Sequence, residues 1–294
     1  MTYSIVARDA VTGELGVAVQ SHYFQVGPLV PWGAAGVGAV ATQSRVNVGF
    51  GPLGLDLMRL GHTAPQALAA VLAADPEREV RQCAMVDSLG GVAAHTGSGC
   101  VPEAGHHVGE GYSVQGNVLE KASCWEAMAR AYESAAGPLP ERLLAALEAA
   151  EAEGGDVRGR QSAAMLVLAG QPSGRSWEDR TVDLRVEDHS QPLTELRRLL
   201  RVRRAYQAAA TDDLAGYRRA VEIAPEMEEL QFDAALAAAA AGEWQEAELG
   251  LRAALAVDPR WLEMMRRLVG AGRLDAAVAD ALIGRVGAGE GRVR

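Results

Sequence analysis

Thr2 is the first residue in the chain whose chemistry invites a reaction. A threonine hydroxyl is a poor nucleophile at neutral pH and needs a base. Met1 is normally trimmed when the next residue is as small as threonine, and trimming gives Thr2 a free α-amine. Such an amine, with an unperturbed pKa of about 7.7–8.0, can take the proton of the hydroxyl on its own residue, the Thr–N-terminus form of covalent catalysis. Read alone, the stretch also fits a Thr2 that merely starts a strand. A second candidate pair is Cys100 as nucleophile with His106 as base, although the glycines around both, Gly97, Gly99 and Gly105, read as structural. Gln115-Gly116-Asn117 ends a strand pattern just before a helix, where polar groups meet a helix N-terminus and suit negative charge. A plain glycine turn fits the same residues. Arg45, Arg158 and His106 are candidates to select an acidic substrate group, and each also fits a surface or structural role.

These residues need a frame. Thr2, Ser4 and Val6 alternate with Tyr3, Ile5 and Ala7, which predicts a strand, and Glu14 to Gln20 predicts its hairpin partner. Pro31 to Thr42 reads as one glycine-rich strand. Its Gly33, Gly36 and Gly38 fit either close approach of a backbone or ligand, or a tight bend. Thr42-Gln43-Ser44-Arg45 follows as a polar junction into a helix opened by Gly51-Pro52. A second helix is predicted from Ala64 to Ala74, with Thr63 as N-cap and Pro65 in the first turn. Strands are predicted at Val80–Val86, Val92–Thr96, Tyr112–Leu119, Ala163–Ala169 and Thr181–Val186, and helices at Ser123–Ala135 and Leu139–Glu153. Asp156 to Ser162 is a charged loop entering the strand at Ala163. Helices grouped between strand pairs imply stacked layers around antiparallel sheets, not alternating β-α-β units. No GxGxxG follows the first strand, so a dinucleotide site has no support.

The whole chain has 294 residues, is 49% hydrophobic and carries a net charge of −10. That balance argues against nucleic acid or an acidic membrane surface as partner. Three cysteines without paired spacing fit a reducing compartment. No CxxC or HExxH pattern occurs, so neither a metal nor a cofactor is expected. No leader is expected before the first strand and no apolar run would span a membrane, so the expected location is cytoplasmic. The last third is alanine-rich and helical in pattern. Pro225 and Pro259 close similar segments 34 residues apart, which is the tetratricopeptide period; a generic helical bundle fits as well.

The first two thirds resemble the family catalogued as domain of unknown function 1028, within the N-terminal nucleophile (Ntn) hydrolase superfamily. The resemblance lies in Thr2 to Asp9, Gly13 to Val19, Gly36 to Gln43, Val86-Asp87, Thr96-Gly97 with Cys100, Ala104-Gly105-His106, Gln115-Gly116-Asn117, Gly155-Asp156 with Arg158-Gly159 and Gln161-Ser162, and Asp183 to Val186. It implies an α+β fold, a four-layer αββα sandwich over residues 1–200, followed by a small all-α domain over 201–294. It also implies amide hydrolysis by an N-terminal residue, here Thr2. Thr42-Gln43 falls where an oxyanion donor sits. Gln115-Gly116-Asn117 and Asp156 with Ser162 fall where proteasome β subunits keep polar groups around their threonine amine. Where the proteasome has an aspartate on the second strand this chain has Gln20, and its third strand has no lysine. The base is therefore the α-amine assisted by neutral groups. Some relatives carry a C-terminal extension labelled as peptidoglycan-binding, an alternative to the tetratricopeptide reading.

Two functions follow. In one, Thr2 with Gln43, Gln115, Asn117 and Asp156 hydrolyses a small amide or peptide-like compound through an acyl-enzyme, and Thr42, Arg45, His106, Gly116, Arg158 and Ser162 bind it. In the other, the sandwich is a non-catalytic ligand cup or scaffold. In both, the C-terminal helices are free to contact a protein partner, and a homo-oligomer is expected.

Overall fold

The computed structural model describes residues 2–290, so Met1, on whose removal the N-terminal chemistry turns, lies outside the described residues. Ten strands and ten α-helices follow one another among them. Six strands form one antiparallel sheet in the order β10 (Arg180–Val186), β9 (Ser162–Leu168), β2 (Leu15–Ser21), β1 (Thr2–Arg8), β8 (Tyr112–Asn117), β7 (Gly105–Gly109). Four more, β3 (Pro31–Ala34), β4 (Gly38–Ser44), β5 (Arg81–Asp87) and β6 (Val92–Thr96), form a second antiparallel sheet. The chain thus has a mixed α/β fold with two antiparallel sheets.

Strands β1, β4 and β5 pack across the gap between the sheets, as do β2, β3, β8 and β9. Helices α1 (Phe50–Arg59) and α2 (Ala64–Ala74) cover the smaller sheet; α3 (Ser123–Ser134) and α4 (Leu139–Ala152) cover the larger one. Thr63 caps α2 as expected: its Oγ1 accepts from the Gln66 N–H while Gln66 Oε1 accepts from the Thr63 N–H. With both faces covered, β1, β2, β5, β8 and β9 are buried almost throughout. Tyr3 reaches α4, its hydroxyl donating to Glu151 at 2.5 Å, so the odd-numbered side chains of β1 face the helices. The even-numbered ones, Thr2, Ser4 and Val6, face the other sheet. Val6 joins Val17, Val19, Ala39, Ala41, Val86 and Leu166 in an apolar core between the sheets.

The stretch Pro31 to Thr42 is not one strand but the hairpin β3–β4. Gly36 sits in its turn at φ +67°, a conformation glycine adopts without steric cost. The glycine patch after Thr96 contains an edge strand, β7, that its composition concealed.

The chain divides into two compact units, Met1–Arg197 and Arg198–Arg294. Helix α5 (Pro192–Ala209) begins in the first unit. The second unit holds α6 (Leu214–Ile223), α7 (Glu228–Ala240), α8 (Trp244–Val257), α9 (Trp261–Gly270) and α10 (Ala276–Glu290). Phe232, Leu251, Met265 and Leu282 form its core, with the Phe232 and Trp261 rings stacked at 4.7 Å. Pro225 and Pro259 each follow a helix end, and Gly242 and Gly272 each turn one helix into the next.

Candidate functional site

The space between the sheets has an apolar end and a polar one. At the polar end lie Thr2 and Ser4 from β1, Ser21 from β2, Gln43 from β4, Gln82 from β5, and Ser113, Gln115 and Asn117 from β8, all buried. Amides and hydroxyls withdrawn from water are costly unless they bond one another, and here they do. Ser113 Oγ donates to Gln115 Oε1 at 2.9 Å, and Gln115 Nε2 donates to Ser4 Oγ at 2.6 Å. Ser4 Oγ donates to Gln43 Oε1 at 2.7 Å, and Gln43 Nε2 donates to Gln82 Oε1 at 2.7 Å.

Gln82 is the hub, and sequence reasoning missed it. Its Oε1 also accepts from Asn117 Nδ2 at 2.9 Å. Its Nε2 lies 2.9 Å from Thr96 Oγ1, 3.1 Å from the Gly105 carbonyl and 2.7 Å from the Gly116 carbonyl. One side chain thereby ties β5 to β4, β6, β7 and β8. Ser4, Ser21 and Ser113 were missed as well. The available signal was that strands β1, β4, β5 and β8 each carry polar residues at the same end of one alternating face.

Thr2 stands at the edge of this network. Its carbonyl accepts from Gln43 Nε2 at 3.2 Å and from Asn117 Nδ2 at 3.3 Å. Its Oγ1 lies 3.0 Å from Ser21 Oγ. Gln20, the residue compared with the proteasome aspartate, pairs with Tyr3 and so faces the helix side. The β2 side chain beside Thr2 is Ser21, one residue on.

The other predicted residues divide. Gln43 and Asn117 touch Thr2, and Gln115 is linked to it through Ser4 and Gln43. The amide hydrogens of Gln43 and Asn117 are occupied by Thr2 and Gln82, so neither side chain is free to donate to a substrate oxyanion. Asp156 lies beside the end of β2: its carboxylate accepts from the His22 and Arg158 N–H groups, each at 2.9 Å, and the Arg158 guanidinium lies on it. Ser162 holds a loop, donating to the Tyr23 carbonyl at 2.6 Å and accepting from the Val26 N–H at 3.2 Å. Thr42 faces away from Thr2 by strand alternation, its hydroxyl on the Asn47 carbonyl at 3.0 Å. Gly116 is a close approach: a Cβ there would lie 2.5 Å from Leu119. His106 bonds Thr96 Oγ1 at 2.8 Å, while the buried Cys100 thiol lies 3.4 Å from the Arg81 carbonyl. The Cys100–His106 pair is therefore not assembled, because each group has another partner. Arg45 is exposed and pairs with Glu77 at 3.0 Å. Among the described residues no group of three or more His, Cys, Asp or Glu could hold a metal ion.

A cavity of about 100 Å³ opens on Thr2, bounded by Ser21, Tyr23, Leu29, Val30, Gln43 and Ser44 with Val26 and Val46. Among the described residues no carboxylate, imidazole, guanidinium or ammonium side chain is in that lining. Across Ser44 and Asn117 lies a second cavity of about 400 Å³, bounded also by Arg45, Val80, Gly99, Val101 and Val118. Ser44 and Val118 have φ of +68° and +53°, sparsely populated for residues with a Cβ and most of all for a β-branched one. Such strain persists only where the surroundings enforce it.

The loop after Ser44 is held by a buried ion pair. Asp75 Oδ2 accepts from Arg81 Nε at 2.8 Å and from Asn47 Nδ2 at 3.2 Å, and Arg81 Nη1 donates to the Arg45 carbonyl at 2.6 Å. The Arg81 hydrogen bond, with those from the Glu77 N–H and Asn47, holds the Asp75 carboxyl down at about 2. A depressed carboxyl contributes stability that is complete above the unfolded value near 3.9 and lost as pH falls toward 2. Arg81→Ala strands a buried carboxylate and is expected to cost about 3–5 kcal/mol at pH 7. Urea melts from pH 7 to pH 2 check this: the deficit shrinks on acidification, and a pH-independent deficit would contradict it.

Residues 2–196 match the Family of unknown function (DUF1028). A crystal structure of a protein from Silicibacter pomeroyi, described as DUF1028, is similar with a TM-score of 0.62 at 35% identity, over 71% of this chain and 85% of that one. None of the curated proteins compared matches the sequence.

Proposed function

The chain belongs to the DUF1028 family of unknown function, and from that premise we propose that it is an N-terminal-threonine amidohydrolase built on an αββα Ntn-hydrolase sandwich. One observation carries the reading. Among the described residues no side-chain base lines the cavity that Thr2 borders, and trimming Met1 would create a base at that spot. The two donors on the Thr2 carbonyl and the Ser21 hydroxyl on its Oγ1 give this first residue a defined orientation.

The reaction runs in two halves. Thr2 Oγ1 attacks the amide carbonyl carbon while the α-amine takes the hydroxyl proton. The protonated amine then gives that proton to the leaving nitrogen, the C–N bond breaks, and an ester to Thr2 remains. Water, deprotonated by the same amine, attacks the ester and releases a carboxylic acid and free Thr2. The side-chain amides of Gln43 and Asn117 being occupied, and the Arg45 N–H donating to the Val80 carbonyl at 3.3 Å, the oxyanion falls to the backbone N–H of the strained Ser44, a contribution worth about 3–4 kcal/mol.

A single amine base sets the pH dependence. The rate of Thr2 labelling by a β-lactone is expected to rise with pH along one ionisation below about 8 and then level off. A profile independent of pH between 5 and 9 would exclude the amine as base.

The second reading, a non-catalytic ligand cup, is favoured by the occupied side-chain amides and holds if Met1 stays in place. For the C-terminal helices we propose a tetratricopeptide-like role in contacting a protein partner. A groove of about 550 Å³ with Arg218, Glu222, Gln231, Glu246 and Leu249 in its walls supports it.

A further inference from the structure

We propose that the cavity at Thr2 takes a short, uncharged aliphatic side chain, so that the substrate is an amide of a small branched acyl group of the valine or leucine kind. The inference rests on Thr2 being the nucleophile. The walls are Tyr23, Val26, Leu29, Val30 and Val46, with the hydroxyl and amide groups of Thr2, Ser21 and Gln43 at one side. With no charge in the lining, an ionised side chain would give up water and meet no opposite charge in return. The volume favours a short group at the closed end of a cavity that opens to solvent. A dry cavity of about 150 Å³ admits benzene, so the 100 Å³ here corresponds to about three or four carbons.

The backbone behind these walls is pinned, and of the side chains Val26 and Val30 are buried whereas Tyr23 is exposed. Ser162 holds the Tyr23 carbonyl at 2.6 Å and the Val26 N–H at 3.2 Å. The Val30 carbonyl accepts from the Thr42 N–H at 3.2 Å, and the Leu29 carbonyl from Trp32 Nε1 at 3.0 Å. An aromatic side chain would have to press on the buried Val26 and Val30 or push the exposed Tyr23 ring aside. The rest of a longer substrate has room in the larger cavity across Ser44.

The test uses the full chain and acetyl-capped single-residue epoxyketones bearing alanine, valine, leucine, phenylalanine or arginine side chains, with adduct formation followed by intact mass. Valine and leucine probes are expected to label Thr2 at least about ten-fold faster than phenylalanine and arginine probes, the scale a fixed hydrophobic pocket reaches. Val46→Ala, at a half-buried wall, should raise the phenylalanine rate, and Val46→Phe should lower the leucine rate. Thr2 adducts that form fastest with phenylalanine or arginine, or equally with all five, overturn the aliphatic assignment and leave the nucleophile standing. No adduct with any probe removes the nucleophile and this inference with it. A second arm is independent of the chemistry. Isovaleramide, and not phenylacetamide, should shift the methyl NMR signals of Val26, Val30 and Val46; no shift overturns the cavity assignment whatever Thr2 does.

Discussion

Thr2→Ala is expected to abolish labelling by threonine-directed electrophiles and to lower turnover of any hydrolysed amide by at least about 10³-fold. The substitution deletes the only hydroxyl that shares a residue with the proposed base. It removes little else. The Thr2 carbonyl is still held by Gln43 and Asn117. The Ser21 hydroxyl loses a partner, a stability cost of about 1 kcal/mol. Thr2→Ser keeps both the hydroxyl and the amine and should retain measurable labelling. The contrast separates chemistry from folding: near-wild-type melting with no reaction in Thr2→Ala, and reaction in Thr2→Ser. Undiminished labelling of Thr2→Ala would place the nucleophile elsewhere.

The second large effect is on stability. Gln82→Ala should destabilise the first unit by about 3–5 kcal/mol, from a combination of stranded partners. Donors on Gln43 and Asn117 lose their acceptor, and the Gly116 and Gly105 carbonyls lose their donor. Each buried polar group left unsatisfied costs about 1–3 kcal/mol, and water entering the vacated space recovers part of it. Gln82→Leu, which fills the volume and satisfies none of these groups, should be no better. Urea denaturation measures both. Either variant within about 1 kcal/mol of wild type would mean that the network is not the joint between the sheets.

Much of the frame was legible because it is local. The opening hairpin, the helix pair after Gly51, the cap at Thr63 and the helices from Ser123 and Leu139 follow from short-range pattern and turn chemistry. What failed to be legible is tertiary or depends on register. In Gln82-Cys83-Ala84-Met85-Val86 a single glutamine looks ordinary. Its weight comes from Gln43, Thr96 and Asn117, distant in sequence and joined to it only when two sheets face each other. Gln20 and Ser21 differ by one position, and one position reverses the face of a strand. Thr42 and Gln43 separate for the same reason, so of two neighbours proposed together one lies on Thr2 and the other on the Asn47 carbonyl. Asp156 carries the right charge in the right part of the chain, but it is turned toward the backbone of His22 and Arg158. Residue type predicted polarity around Thr2 and could not predict which polar groups would already be occupied.

If Thr2 acts with its own α-amine, that amine must be free in the working protein. Intact-protein mass spectrometry of chain purified from the organism that makes it, before and after a β-lactone, tests that most directly. The expected result is a mass lacking methionine and a single adduct that maps to Thr2. Retained Met1, or an adduct mapping to any other residue, would contradict it.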